Sequence, residues 1–313
     1  MTQIHVHAPG LLTTVQDLGR EGFGPMGVSP SGAADPISLR VGNRLVGNAE
    51  ASAALEMTLL GGTFSFPDGA VLAITGSDFS ANLDGVPVEL WTSLRVIPGQ
   101  TLRLAHTRSG ARCYLCVQGG VSVEPFLGSA STHILSGTGG FAGRALRKGD
   151  VLAIGPEAGS FRKRKLTEQA WEYLAPRKVL RVTPGPQADW FSESAQQAFY
   201  GGRYRVAEES NRMGIRLEGP LVAASFGGKM ITEGVSLGAM QVPDGGLPII
   251  LFVEQQTTGG YPKIANVISA DLPSLGQLRP RDEIRFELIG WEAARRLLTE
   301  QEALLASKEL LAE

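Results

Sequence analysis

Apolar positions along this chain fall in short runs cut by turn-forming pairs. In the first half the runs Ala70-Val-Leu-Ala-Ile74, Ser93-Leu-Arg-Val-Ile97 and Thr101-Leu-Arg-Leu104 are separated by Asp84-Gly85, Pro98-Gly99 and Lys148-Gly149-Asp150. In the second half comparable runs occupy Lys178–Val182, Tyr204–Val206, Gly214–Leu217, Ile249–Val253, Ile264–Ile268 and Glu283–Phe286. Runs of this length, rich in β-branched residues and bounded by Gly, Pro, Asn or Asp, predict strands. Helical patterning is confined to three places. Asp35 can cap a helix to about Val46, with Pro36 at its first position, Leu39 and Leu45 toward the apolar side, and Gly47-Asn48 as its stop. A turn at Pro184-Gly-Pro-Gln187 leads into a helix over 188–200. The tail, 291–311, has Trp291, Ala294, Leu298 and Leu305 on one stripe, which reads as a packing helix or a docking face. Many strands and few helices predict a mainly β protein of barrels or sandwiches. The expected organisation is a domain over 1–160, a linker over 161–177, a second β domain over 178–288 and a C-terminal helix over 289–313.

Composition narrows this picture. A chain of 313 residues, 43% hydrophobic, has room for two cores. Its 40 Gly and 18 Pro suit turns between strands. A formal charge of −2 gives no electrostatic case for nucleic acid or an anionic membrane. The basic run Phe161-Arg-Lys-Arg-Lys-Leu166 reads as a solvated boundary. No apolar run approaches a bilayer span, and Met1-Thr-Gln-Ile-His5 lacks the basic and apolar regions of a secretory signal, so a cytoplasmic location is expected. Cys113 and Cys116 have C-x-x-C spacing but lie in a strand-like run, where positions three apart face opposite sides, so buried reduced thiols are expected. The histidines are scattered and no metal site is expected.

The most telling segment is Glu254-Gln-Gln-Thr-Thr-Gly-Gly-Tyr-Pro-Lys263, a strand end opening into amides, hydroxyls, two glycines and a lysine. Glycine's backbone freedom and free N–H groups there would suit a small-molecule site, the alternative being a plain Gly-Gly hairpin. Gln256, Thr257, Thr258, Gly259, Gly260, Tyr261 and Lys263 are its candidates. Four further clusters carry polar residues in need of an account. Asp17 and Arg20, followed by Ser31, form either a turn-stabilising pair or part of a site. Asn43 opens the segment Asn43-Arg-Leu-Val-Gly-Asn48, and nearby Glu56 sits among apolar neighbours, where a carboxylate must be paired or have a shifted pKa, so Glu56 is an arginine's partner or a proton acceptor. Arg212 is a bidentate clamp for an anion or one half of an ion pair. Gln241, beside glycine-rich backbone, suits amide recognition or an ordinary loop contact.

Taken together, Thr14-Val-Gln-Asp17 with Gly19-Arg20, Ser31-Gly-Ala33, Asn43 with Leu45-Val-Gly-Asn48, Leu55-Glu56, Gly128-Ser129, Gly185-Pro-Gln187, Ser210-Asn-Arg-Met-Gly214, Gln241-Val-Pro243 and Gln256-Thr-Thr-Gly-Gly-Tyr-Pro262 resemble the second subunit of the biotin-dependent carboxyltransferase and allophanate hydrolase family. The resemblance runs over nearly the whole chain, and the family includes the C-type subunits of 5-oxoprolinases, the second part of the carboxyltransferase domain of urea carboxylase and the antagonist of a bacterial histidine-kinase inhibitor. It departs at Glu254-Gln255, where Asp-Arg is common, and at Ala130 and His133, where Arg and Tyr are common. It implies two cyclophilin-like β-barrels and a first-subunit partner of the same family. It further implies ATP-dependent opening of the 5-oxoproline lactam to glutamate, with a third lactam-processing subunit and ATP shared among subunits. In that reading Arg212 and Lys263 neutralise phosphate charge, Thr257, Thr258 and the Gly259-Gly260 amides hold an oxyanion, and Glu56 or Asp17 moves protons. Two other functions stay open. One is carboxyl transfer from carboxybiotin to urea or a related amide, with biotin on another chain. The other is non-enzymatic relief of a kinase inhibitor.

Overall fold

The computed structural model describes residues 2–156, 159–225 and 230–313. The chain is mainly β, with 32% of residues in strands and 18% in helices. It forms two compact units. The first is Met1–Arg20, Ser31–Leu174 and Leu304–Glu313, and the second is Glu21–Pro30 with Ala175–Ala303.

The first unit holds a seven-stranded and a five-stranded sheet. The five-stranded sheet runs Leu12–Gln16, Ala54–Thr58, Arg112–Val117, Ala70–Gly76, Ser93–Val96, antiparallel throughout. Alternation along these strands supplies two cores. Leu55, Met57, Leu72, Ile74, Cys113, Leu115 and Val117 pack with Ile4, Val6, Phe64, Leu102 and Ile154 of the other sheet. The opposite face, through Ala54, Val71, Ala73, Tyr114 and Cys116, packs on Leu39, Val41 and Leu45 of the helix Pro36–Leu45. Each fully buried Leu, Ile, Val, Met or Phe among them contributes about 1.5–3 kcal/mol by leaving water. Cys113 and Cys116 therefore do face opposite sides, both free and buried, and burial pushes both thiols far above their ordinary pKa.

The helix begins where its sequence signals place it. Asp35 accepts from the Ser38 N–H at 3.1 Å, Pro36 takes the first position, and Val46 follows the last turn. Its close approach to the sheet depends on Gly42, where a Cβ would lie 2.5 Å from Cys116 Sγ and 2.9 Å from Thr75 Oγ1.

The second unit is a closed barrel in the order Val179–Pro184, Lys263–Val267, Ala239–Gln241, Ile249–Leu251, Gly214–Glu218, Tyr204–Val206, Glu283–Leu288. Its neighbours are antiparallel except Val179–Pro184 and Glu283–Leu288, which run parallel. The helix Glu193–Gly201, capped by Ser192, lays Phe199 on the barrel, stacked on Phe286 with ring centroids 4.8 Å apart. The helix expected over 188–200 is thus split: Ala188–Trp190 is a single 3-10 turn and Phe191 is extended, because Ser192 starts a fresh helix.

Three stretches are used in ways local pattern does not show. Glu21–Pro30 belongs to the second unit. Within 161–177, Lys165–Leu166 is a strand and Glu168–Leu174 a helix of the first unit, and two of the basic side chains have acidic partners: Lys165 with Glu89 at 2.7 Å and Arg162 with Glu313 at 3.5 Å. The tail helix ends at Ala306, and Leu311–Ala312 pairs with Lys165–Leu166.

Candidate functional site

The family-signature residues of the first unit are held by partners. Asp17 leaves the strand Leu12–Gln16 and turns back on the 126–132 loop. Its carboxylate accepts from the Ser129 hydroxyl at 2.6 Å, the Ser131 hydroxyl at 2.5 Å, the Ala130 N–H at 2.6 Å and the Gly19 N–H at 2.7 Å. Arg20 grips the same loop by donating to the carbonyls of Ser131 and Phe126, with its guanidinium 5.4 Å above the Phe126 ring. Asp17 and Arg20 thus share a loop, each held by its own partners there. Ser31, at φ 56°, donates to the Thr132 carbonyl at 2.9 Å. Asn43, fully buried on the helix, donates to the Glu50 and Ser52 carbonyls at 3.1 and 2.7 Å and accepts from Asn48.

Glu56 follows the same rule. Its Oε2 accepts from the Tyr114 hydroxyl at 2.7 Å and the Ala34 N–H at 2.8 Å, and Arg112 Nε lies 3.6 Å from Oε1. Burial, then the charges of Glu56 and Asp35, push the Tyr114 phenol well above its ordinary pKa, so it stays protonated and donates. Tyr114 in turn accepts from the Asp35 N–H, which ties this buried carboxylate to the start of the helix. The arrangement is that of an arginine-paired buried acid.

Arg212, in the second unit, is likewise buried in an ion pair with Glu254, whose N–H donates to the Arg212 carbonyl at 2.8 Å. The ion-pair alternative therefore describes Arg212 as it stands.

The bend after Glu254 differs. Thr258–Gly259 forms a two-residue strand against Glu233–Gly234, and the Val235 N–H donates to the Thr257 carbonyl at 3.1 Å. Gly259 is required for space rather than for backbone freedom: it has no positive φ, but a Cβ there would lie 2.2 Å from Gln241 Nε2. Gln241 Oε1 accepts from Gln256 at 3.3 Å. Gln241 Nε2 and Gln255 Oε1 are both buried with no hydrogen-bond partner among the described residues. A buried polar atom left unpaired costs about 1–3 kcal/mol, and such atoms gather where a ligand or water completes them.

Lys263 begins the next strand, 3% exposed, and its ammonium pairs with Glu233 Oε1 at 2.5 Å. The remaining N–H bonds of that ammonium have no acceptor among the described residues. Gln187 braces the pair, donating to Glu233 at 3.1 Å and accepting the Lys263 N–H at 3.1 Å. The Lys263 ammonium and then the Gln187 amide hold the Glu233 carboxyl below its ordinary pKa.

Glu233 and Lys263 open on a cavity of about 920 Å³ within the second unit, lined also by Thr257, Thr258, Ser236 and Asn266 among others. Trp291, Ala294 and Leu298 of the tail helix line it too, so three members of the apolar stripe serve a cavity wall. Gly260 and Tyr261 face a second cavity of about 590 Å³ with Trp190 and Asp244. Sequence reading missed Glu233 and Gln187 as parts of this cluster. Gln187 had a signal in its Gly-Pro-Gln motif, whereas Glu233 had none beyond being an acid near glycine. Among the described residues no group of three or more His, Cys, Asp or Glu side chains is placed to hold a metal, and no helix is long and apolar enough to cross a membrane.

The sequence model of the carboxyltransferase domain, subdomains A and B, matches residues 26–288. The chain belongs to this carboxyltransferase-domain family. It is 38% identical over 295 residues to the 5-oxoprolinase C subunit of Escherichia coli, covering 94% of this chain and 93% of that protein. It is 35% identical over 324 residues to urea amidolyase of Saccharomyces cerevisiae, covering 98% of this chain but 18% of that much longer protein. The crystal structure of K. lactis urea amidolyase superposes with a TM-score of 0.90 at 33% identity, over 97% of this chain and 20% of that one. Within the carboxyltransferase-domain family, then, this chain is similar both to a protein named as a subunit and to a segment of the much longer urea amidolyase.

Proposed function

We propose that this carboxyltransferase-domain protein is the C-type subunit of an ATP-dependent 5-oxoprolinase, opening the 5-oxoproline lactam to L-glutamate together with partner subunits in the cytoplasm. The observation that carries the reading is the cavity's charge and polarity. Among the described lining residues Lys263 and Arg295 are cationic and Glu233 is acidic, leaving one net positive charge. Beside them stand the hydroxyls of Thr257, Thr258, Ser236 and Ser269 and the amide of Asn266. 5-Oxoproline is a single carboxylate fused to a planar amide, and that set answers both halves. Urea, uncharged, makes no use of the lysine. The similarity to the 5-oxoprolinase C subunit over nearly all of that protein's length supports the same choice.

The cavity does not fit a nucleoside triphosphate, which brings several negative charges to a site with one net positive charge. ATP is therefore assigned to a partner chain, and no step on this chain runs through it. What this chain supplies is binding and orientation. Lys263 fixes the carboxylate, and the Thr257 and Thr258 hydroxyls face the lactam oxygen, where charge builds as the ring opens. Glu56 and Asp17, each engaged by several donors, are frame residues in this reading, and proton transfer is left to the partners.

The test is to co-purify the chain with a first-subunit homologue and a lactam-processing subunit and to measure ATP-dependent glutamate release from 5-oxoproline. Turnover by the full set is expected. Silence there, together with carboxylation of urea when a biotinylated carrier is supplied, would replace this reading with the carboxyltransferase one. Tight binding to the first-subunit homologue with neither activity would leave the regulator.

A further inference from the structure

The Lys263–Glu233 pair combines a cation that is 3% exposed with an acid that is 43% exposed. The lysine is fixed in the barrel strand Lys263–Val267. The acid sits on a two-residue strand, Glu233–Gly234, whose only ladder partners among the described residues are Thr258 and Gly259. One oxygen, Glu233 Oε1, collects two donors, the Lys263 ammonium at the cavity and the Gln187 amide beside it. That is the pair of contacts an incoming carboxylate needs. A buried ammonium left without a counter-ion is strongly disfavoured, so an internal acid must hold the place when no ligand is bound.

We propose that Glu233 is a resident stand-in for the substrate's carboxylate: it occupies Lys263 and Gln187 in the ligand-free protein and is displaced by a small monocarboxylate. The exchange swaps one carboxylate for another, so Lys263 is never unpaired. Because Glu233–Gly234 pairs with Thr258–Gly259, displacement also reaches the bend that carries the threonine hydroxyls. Lys263 and Gln187 are then the specificity determinants for the acid group, and Glu233 is a positioning residue that tunes affinity by competing for them.

This inference rests on the 5-oxoprolinase reading, and the experiment separates the two. In the assembled complex, Glu233→Gln removes the competing charge while keeping shape and a hydrogen bond to Lys263. The KM for 5-oxoproline is expected to fall by about tenfold, the scale of one charged hydrogen bond. Lys263→Gln is expected to raise it by about a hundredfold, and the double variant to lose the gain seen in E233Q. Inhibition by 2-pyrrolidinone, the same lactam without a carboxylate, is expected to be equal in wild type and E233Q. Wild-type turnover with an unchanged or raised KM in a folded E233Q complex overturns the exchange and leaves the function standing. A wild-type complex that releases no glutamate overturns both.

Discussion

Asp17 and Lys263 are both buried charges, yet they are satisfied in opposite ways. Asp17 receives donors from Ser129, Ser131, Ala130 and Gly19, a set that fills a carboxylate's acceptor positions. Replacing it by Ala strands two hydroxyls and two N–H groups in a covered site. D17A is expected to lose on the order of 3 kcal/mol of stability, read as a lower urea midpoint. Lys263 relies on one exposed acid. Gly259 tests the neighbouring polar cluster differently. In G259A the new Cβ collides with the Gln241 amide, which must turn away. The expected result is a KM about tenfold higher with a melting temperature close to wild type; a fall in stability with unchanged KM would mean that Gln241 only supports the fold. The residue types at both places were legible in the sequence, because Asp17, Gln241 and the Thr-Thr-Gly-Gly run stand out by composition. Their roles were not, since satisfaction of a buried group depends on residues such as Ser129 and Ser131, more than a hundred positions away.

Elements were more legible than roles where local pattern decides them. Arg112–Val117 reads as a strand, and its alternation places Cys113 and Cys116 in different cores. The helix Pro36–Leu45 follows from Asp35 and Pro36 at its start. Pattern misled where one element hands over to another. The tail's helical stripe continues in sequence to Leu311, but the chain extends there because Lys165–Leu166 offers a strand partner. The turn Lys148-Gly149-Asp150, legible from its Gly and Asp, carries a pH prediction. Asp150 accepts from both guanidinium ends of Arg144 at 2.7 and 2.9 Å and from the Arg147 N–H at 2.7 Å. The Arg144 hydrogen bonds, and then the Arg147 N–H, hold its carboxyl below the ordinary aspartate value. A depressed carboxylate contributes stability that is present above the unfolded pKa, near 4, and is lost as pH falls through the lower folded value. The wild-type melting temperature is therefore expected to fall between about pH 5 and 3 more steeply than that of Asp150→Asn, which has no such proton to take up. Parallel curves for the two proteins would remove Asp150 from the acid response.

At the scale of the whole molecule, sequence order and compact units diverge. The chain passes from the first unit to the second at Arg20, returns at Ser31, leaves again after Leu174 and comes back at Leu304. Period and composition report only on neighbours along the chain, so the exchange of Glu21–Pro30 and of the last ten residues was not legible in the sequence. That exchange has a measurable consequence. Leu305 and Leu310 are both fully buried in the core formed by the helix Pro36–Leu45 and the outer face of the five-stranded sheet. A chain ending at Ala303 loses both side chains and the strand that pairs with Lys165–Leu166. Each large apolar side chain removed from a core costs about 2–5 kcal/mol, and the pair approaches the whole stability of an ordinary domain. Hydrogen exchange on the truncated chain is expected to show lost protection in Ala54–Thr58, Ala70–Gly76 and Arg112–Val117, while the barrel strands Val179–Pro184 and Lys263–Val267 stay protected. If protection fell equally in the barrel, the tail would be supporting more than the core that contains it. If the sheet amides stayed protected, Leu305 and Leu310 would be dispensable despite their burial.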